Sequence, residues 1–169
     1  MPPQPFVDAT CRVNEWRGRC LDSFARAEAA VTECLMALAE VKERGAAVPL
    51  PHLVGQRFEA LVTAFAANGP FRAEGSCALA AVEQCRAHSR VRTMLCNGIG
   101  RVTLDRHGAW TLVLRVATLR NRRIAHDTLV LTETEAEQLR VEIARASQRL
   151  CAQLGQVRAK LKPQPQQQA

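Results

Sequence analysis

Residues 132–161 read TETEAEQLRVEIARASQRLCAQLGQVRAKL, and this stretch decides the fold class. Its apolar residues recur in steps of three and four, which is the spacing of one face of an α-helix. They are Ala136, Leu139, Ile143, Ala146, Leu150, Leu154, Val157 and Leu161. Thr132 and Glu135 have the spacing of a capping box, in which the hydroxyl caps the N3 amide and the carboxylate returns to the N-cap amide. The stretch therefore predicts a capped helix of roughly eight turns.

A second long helix is predicted near the start of the chain, over residues 13–44. Its apolar positions again alternate steps of four and three, and they are Cys20, Phe24, Ala27, Val31, Cys34, Leu38 and Val41. Gly45 and Pro49 follow, and both residue types end helices. We expect the two long helices to form the body of one helical bundle.

Two further helices are predicted between them. Residues 52–67 carry apolar side chains at helical spacing, and so do residues 73–96. Gly98 and Gly100 follow the second of these segments, and glycine tolerates the left-handed conformation that caps a helix.

The periodicity then changes from helical to alternating. Val102 and Leu104 alternate with polar residues, residues 105–108 (Asp-Arg-His-Gly) are typical of a turn, and apolar residues alternate again from Trp110. This pattern indicates an antiparallel β-hairpin over about 101–116. Two alternatives follow it: a short helix over 117–126, or a basic turn before a third strand at 128–131.

The fold class predicted is mainly α, a helical bundle with a small hairpin inserted before the last long helix. Residues 1–10 and 163–169 are rich in proline or glutamine, so we expect disordered tails there. Residues 11–162 are expected to form a single domain.

Charge, cysteine content and short motifs indicate which partners and sites to expect. The 169 residues carry a formal net charge of +7, and most of the cations are arginine, whose planar group suits phosphate, so a polyanion partner is plausible. Seven cysteines without CxxC spacing, and no apolar signal segment in residues 1–10, lead us to expect a cytoplasmic protein. No apolar run is long enough to span a membrane, no metal-ligand spacing occurs, and no nucleotide-binding motif is present, so we expect no membrane, metal or cofactor.

The segment Arg120-Asn121-Arg122-Arg123-Ile124-Ala125-His126 resembles the Arg-polar-x-His motif of the HEPN-type ribonuclease family. The arrangement of long helices before and after it is similar to that family across most of residues 11–162. The resemblance implies a HEPN-like bundle, a homodimer whose two motifs meet at the subunit interface, RNA as the substrate, and metal-independent cleavage.

The resemblance also implies the roles of the residues. Arg120 would clamp the phosphate, and His126 would move protons as the RNA 2′-hydroxyl attacks phosphorus, because the pKa of histidine lies near neutrality. Asn121 would bind phosphate or orient the histidine, and Arg122 and Arg123 would add to the substrate-binding surface. The competing interpretation is a basic turn between two strands, with His126 an ordinary surface residue.

A second segment, residues 92–98 (Arg-Thr-Met-Leu-Cys-Asn-Gly), has the same outline at a predicted helix end. Asn97 stands where the motif has histidine, and asparagine can hydrogen-bond a phosphate but cannot titrate. Arg92 and Asn97 would therefore form a poor catalyst. We expect Arg120 and His126 to be the stronger pair.

The leading hypothesis is a HEPN-like ribonuclease of the toxin or defence type, with a cognate antitoxin or regulator as a further partner. The alternatives are a non-catalytic helical protein that dimerises or binds a partner, and a catalytically impaired nuclease relative with its site at Arg92 and Asn97. The state of residues 117–126 separates them, because a motif on a helix facing a cleft favours the nuclease and a motif divided across a hairpin does not.

Overall fold

The computed structural model describes residues 4–120 and 123–161, and this part of the chain is mainly helical with one small antiparallel sheet. None of the described helices is both long enough and apolar enough to cross a membrane. In chain order, the elements are α1 (Gln4–Ala39), a 3-10 turn (Arg44–Ala47), α2 (Val54–Phe65), α3 (Arg72–Ala87), α4 (Ser89–Asn97), β1 (Ile99–Leu104), β2 (Trp110–Arg120), β3 (Arg123–Thr132) and α5 (Glu133–Leu161).

Contacts divide the described residues into two compact units. Unit 1 contains residues 4–24 and 88–144, and unit 2 contains residues 25–87 and 145–161. Each unit therefore draws on one part of α1 and one part of α5. Whether residues 11–162 behave as the single domain expected from the sequence stays a prediction.

The core of unit 1 combines the first part of α1 with α4, the sheet and the first part of α5. The Trp16 indole donates a hydrogen bond of 2.7 Å to the carbonyl of Ala136, and its ring lies 6.3 Å from that of Trp110, tilted by 54°. The buried members of this core are Ala9, Val13, Trp16, Cys20, Phe24, Met94, Leu95, Trp110, Leu112, Leu114, Val116, Leu131, Ala136 and Ile143.

Unit 2 packs the rest of α1 and α5 around the helices α2 and α3. Phe65 and Phe71 are its largest fully buried side chains, and an alanine Cβ at Gly75 would lie 2.0 Å from the Phe65 ring, so a glycine is required there. Arg44 lies 4.7 Å from the centre of the Phe71 ring and donates to Glu74 at 2.8 Å. That hydrogen bond lowers the pKa of the Glu74 carboxyl.

The first helix begins earlier and ends earlier than the sequence predicts. The expected tail over residues 1–10 is wrong from Gln4 onward, because Ala9 and Val13 are buried and extend the apolar face of α1 toward its start. Proline at position 5 is compatible with this, since the first helical turn needs no amide donor there. The helix ends at Ala39 rather than near residue 44, and the chain turns so tightly that a Cβ at Gly45 would lie 2.2 Å from the Ala39 carbonyl oxygen.

The helix predicted over residues 73–96 is two helices, α3 and α4, separated at His88. Cys85 is buried in the core of unit 2 and Met94 in the core of unit 1. On an uninterrupted helix, side chains nine residues apart point in nearly opposite directions. The break allows both side chains to be buried.

The sheet has the order β1-β2-β3, and both pairs of strands are antiparallel. The predicted turn between β1 and β2 is present: an Asp105 carboxylate oxygen accepts from the amides of His107 at 2.8 Å and Ala109 at 2.9 Å, and Gly108 has φ of +81°. These amides lower the pKa of Asp105. The expected hairpin over 101–116 is thus confirmed in position, but it is the first half of a longer three-stranded sheet.

The capping box at the start of α5 is confirmed. The Thr132 hydroxyl oxygen accepts from the Glu135 amide at 3.3 Å, and a Glu135 carboxylate oxygen accepts from the Thr132 amide at 2.9 Å. Two amides that the helix itself cannot satisfy are thereby paired.

We expect Thr132→Ala to lower the free energy of unfolding by about 1 kcal/mol, the usual loss when a helix N-cap is removed. Urea denaturation followed by circular dichroism measures the change. Thr134→Ala, at an exposed position two residues later, is the matched control and should change the stability by less than half as much. Equal losses in the two variants would contradict the role of the cap.

The same box makes a pH-dependent contribution to stability. The Thr132 amide and hydroxyl lower the pKa of Glu135 below its ordinary value of 4.5. A carboxyl group whose pKa is depressed by folding stabilises the fold above its unfolded pKa, and this contribution is lost as the pH falls through the folded pKa.

The stability difference between the natural protein and Glu135→Gln should therefore be constant above pH 4.5 and should close as the pH falls further. Urea titrations at a series of pH values measure it, with Glu142→Gln, an exposed position on the same helix, as the control. A difference that widens with acidification would show that the assignment to Glu135 is wrong.

Candidate functional site

The helix expected as one alternative over residues 117–126 is wrong. The third strand of the other alternative is present, but it begins at Arg123 rather than at 128, and residues 117–120 continue β2 instead of forming a turn. Arg120 is the last residue of β2 and is paired with Arg123, the first residue of β3. His126 is paired with Ala117 further along the same hairpin. The ladder satisfies the backbone of β-type residues such as Thr118, and this pairing outweighs their local helical spacing.

The strand register separates the two proposed catalytic positions. Arg120 is opposite Arg123, and His126 is three positions further along β3 than Arg123. Because successive strand residues alternate between the two faces of a sheet, positions 120 and 126 fall on opposite faces. Asn121, Arg122 and the side chain of Arg120 lie outside the described part of the chain, whereas Arg123 and His126 are exposed.

The second motif-like pair lies on a single helix. Arg92 is half-buried on α4, and Asn97 is the exposed last residue of the same helix. Five helical positions separate them by about 140° around the axis and about 7.5 Å along it. The two side chains therefore leave the helix on different sides, and only the longer arginine could extend toward a ligand bound at Asn97.

Arg17 on α1 holds the end of α4, and the sequence patterns did not single it out. Its guanidinium donates to the carbonyl of Leu95 at 2.5 Å, to that of Gly98 at 3.3 Å and to that of Cys96 at 3.4 Å. The last carbonyls of a helix lack partners within it and carry partial negative charge, so a cation here is favourable. Arg17 therefore positions the backbone on both sides of Asn97.

Gly98 ends α4 for a different reason from the one expected. Its φ is −75°, which is not the left-handed conformation that the sequence argument assigned to it. A Cβ at this position would lie 2.3 Å from the carbonyl oxygen of Met94, and the Gly98 amide donates to that oxygen at 2.9 Å. The close approach of the backbone accounts for the glycine.

An open groove of about 610 Å³ runs between α4 and the β2–β3 hairpin. Arg90 on α4 donates to both carboxylate oxygens of Asp127 on β3, at 2.5 Å and 3.1 Å. This pairing raises the pKa of Arg90. Met94, Val116 and Ala125 give the groove apolar walls. His126 on β3 and Thr93 on α4 also line the groove, whereas Arg92 and Asn97 are not among its lining residues.

The described residues offer no group of three or more histidine, cysteine or acidic side chains that could hold a metal ion. Burial raises the pKa of Cys20 and of Cys34 to about 12, so both stay protonated at neutral pH and are poor nucleophiles. Cys96 is exposed next to Asn97, and none of the polar contacts that the structure describes gives it a histidine partner.

One face of the sheet is exposed and was not anticipated. We call it the outer face, and it is the face opposite the one that buries Leu112 and Leu114. Its strand positions are Ile99, Arg101, Thr103, Thr111, Val113, Arg115, Ala117, Leu119, Ile124, His126, Thr128 and Val130. The alternating pattern of residues 113–119 predicts a strand, but it does not indicate which of the two faces of that strand is buried.

Comparison of the chain with protein-family models, with curated proteins and with solved structures finds no match.

We expect Arg17→Met to lower the free energy of unfolding by about 1.5–3 kcal/mol, the usual effect of losing hydrogen bonds from a charged donor at half-buried carbonyls. Urea denaturation measures the loss, and amide hydrogen exchange should show faster exchange in α4. Arg19→Met is the matched control, because Arg19 is exposed and its guanidinium pairs with the exposed Glu15 one turn away on the same helix. If both variants lose the same small amount, Arg17 does not hold the end of α4.

Proposed function

We propose that this chain is a catalytically impaired, HEPN-like RNA-binding protein whose site is formed by Arg92 and Asn97. The observation that carries the proposal is that both residues of this pair lie on one helix, as the nuclease hypothesis expects of its motif. Arg120 and His126 lie instead on two paired strands and on opposite faces of the sheet.

The chemistry of the pair explains why binding is proposed without turnover. Arg92 supplies a permanent positive charge and a planar set of donors suited to a phosphate. Asn97 can hydrogen-bond to the same phosphate through its amide, but it cannot take up or release a proton near neutral pH. Loss of general acid–base help typically costs about 10²–10⁴-fold in rate.

Contacts around the end of α4 support this proposal. Arg17 holds the carbonyls of Leu95 and Gly98, so the turn that carries Asn97 is supported from α1. Arg90 lies on the same helix and is paired with Asp127, so its charge is partly neutralised. The net charge of +7 favours a polyanion, and we expect RNA affinity to fall steeply with salt.

Because the resemblance implies a homodimer, the proposal includes one. In it, the ends of two α4 helices, one from each subunit, would face the same RNA. The toxin-type ribonuclease centred on Arg120 and His126 stays a prediction, and so does an antitoxin or regulatory partner. The hairpin position of His126 counts against that site, and the experiment below distinguishes it from the α4 site.

The decisive experiment replaces Asn97 with histidine, a residue that can act as a general acid or base. We expect the natural protein to bind single-stranded RNA without cutting it, and Asn97→His to gain cleavage in the presence of EDTA, because histidine titrates near neutrality. The rate should rise by at least 10²-fold over the natural protein, the lower end of the range for general acid–base help. Cleavage of a fluorescently labelled RNA measures the gain, and binding is measured by anisotropy at two salt concentrations.

Matched variants assign the activity to the site. Asn97→Gln changes size without adding a titratable group and should stay inactive, while Arg92→Ala placed on Asn97→His should remove the new cleavage. His126→Ala on the same background should leave it unchanged.

Two results would overturn the proposal. Cleavage by the natural protein that is lost in His126→Ala would assign the activity to the hairpin. A folded Asn97→His variant that binds RNA but never cuts it would remove the α4 site from the nuclease lineage.

A further inference from the structure

The outer face of the sheet exposes large apolar side chains. Ile99 is 82% exposed, Leu119 80%, Ile124 67% and Val130 55%. Leu119 and Ile124 are directly opposite each other on β2 and β3, so they form one continuous apolar patch near the end of the hairpin. All four residues belong to unit 1. Exposed apolar patches flanked by polar residues are typical of interaction surfaces.

The charges on the outer face have one sign. Arg101 and Arg115 are exposed, and no described hydrogen bond or ion pair involves either guanidinium. Arg115 pairs across the strands with Ile99 on one side and Thr128 on the other, and Arg101 pairs with Val113. Among the described strand positions of this face there is no aspartate or glutamate. Positive charge therefore lies beside Ile99 and near Val130, and the Leu119–Ile124 patch lies further along the same face, four positions from Arg115 on β2.

Two possible occupants fit this surface poorly. Sheet faces that bind single-stranded RNA stack several bases on aromatic side chains, and the described strand positions of the outer face carry no Phe, Tyr or Trp and a single histidine, His126. A second copy of the same face would bring Arg101 and Arg115 of one chain close to those of the other, and like charges in contact are unfavourable. Charge complementarity instead favours an acidic occupant with apolar side chains.

We infer that the outer face is the docking site for an acidic, apolar segment of a protein partner. The partner's apolar side chains would cover Leu119, Ile124 and Val130, and its carboxylates would pair with Arg101 and Arg115. The apolar contacts supply affinity because they remove exposed area from water, and the charges supply orientation and partner selection. This site consists of different residues from the proposed RNA site, so an experiment can refute one proposal without refuting the other.

The test uses a defined probe: a random twelve-residue peptide library displayed on phage, selected against the full chain. We expect the selected peptides to combine Asp or Glu with large apolar residues. A synthetic copy of the strongest peptide should bind at least tenfold more weakly to Leu119→Ser/Ile124→Ser and to Arg101→Glu/Arg115→Glu. Its affinity should also fall as salt is raised, since the arginines are exposed.

Matched controls separate this effect from general loss of apolar or charged surface. Leu50→Ser removes an exposed leucine of unit 2 (51% exposed), and Arg145→Glu reverses an exposed charge of the same unit, so both should leave peptide binding unchanged. Circular dichroism melting should show that every variant keeps its fold, because none of the substituted side chains is buried.

Three results would overturn the inference. The first is selection of no peptide above background, or of peptides without acidic residues. The second is equal binding by the outer-face variants and the natural protein. The third is a different occupant, detected as displacement of the peptide by a twelve-nucleotide single-stranded RNA, or as a dimer in sedimentation that Leu119→Ser/Ile124→Ser abolishes.

Discussion

The candidate site depends on one turn of α1, where Trp16 and Arg17 are adjacent. Trp16 donates its indole proton to the carbonyl of Ala136 and packs near Trp110, so it ties α1 to the start of α5 and to the sheet within unit 1. Arg17 points about 100° further around the helix and binds the final carbonyls of α4. These two neighbouring residues thus hold the start of α5, the sheet and the end of α4 against α1. The contacts of Arg17 fix the backbone that carries Asn97.

The sequence predicts well where a single local pattern decides the structure. The apolar spacing of the two long helices and the capping box at Thr132 each involve residues close together in the chain, and both are present. The turn at Asp105 is equally local, because an aspartate side chain can bind the amides that follow it and Gly108 accepts the positive φ.

The predictions fail where distant contacts decide. Residues 117–126 fit a helix and a strand about equally, and the pairing of β2 with β3 selects strands, so Arg120 and His126 do not form the expected helical motif. The break at His88 reflects burial in two different cores. Arg17 is the main omission among the site residues, because its partners are 78 to 81 residues away and no spacing reveals them.

Both units use residues from the two ends of the chain, and this has a consequence for the order of folding during synthesis. The core of unit 1 includes both Phe24 and Ile143, and that of unit 2 includes Leu150 and Leu154 together with residues of the second part of α1. Neither core can close until α5 has been synthesised, so the apolar face of α1 stays exposed until then. Such contacts, distant in sequence, slow folding and leave nascent chains prone to aggregation.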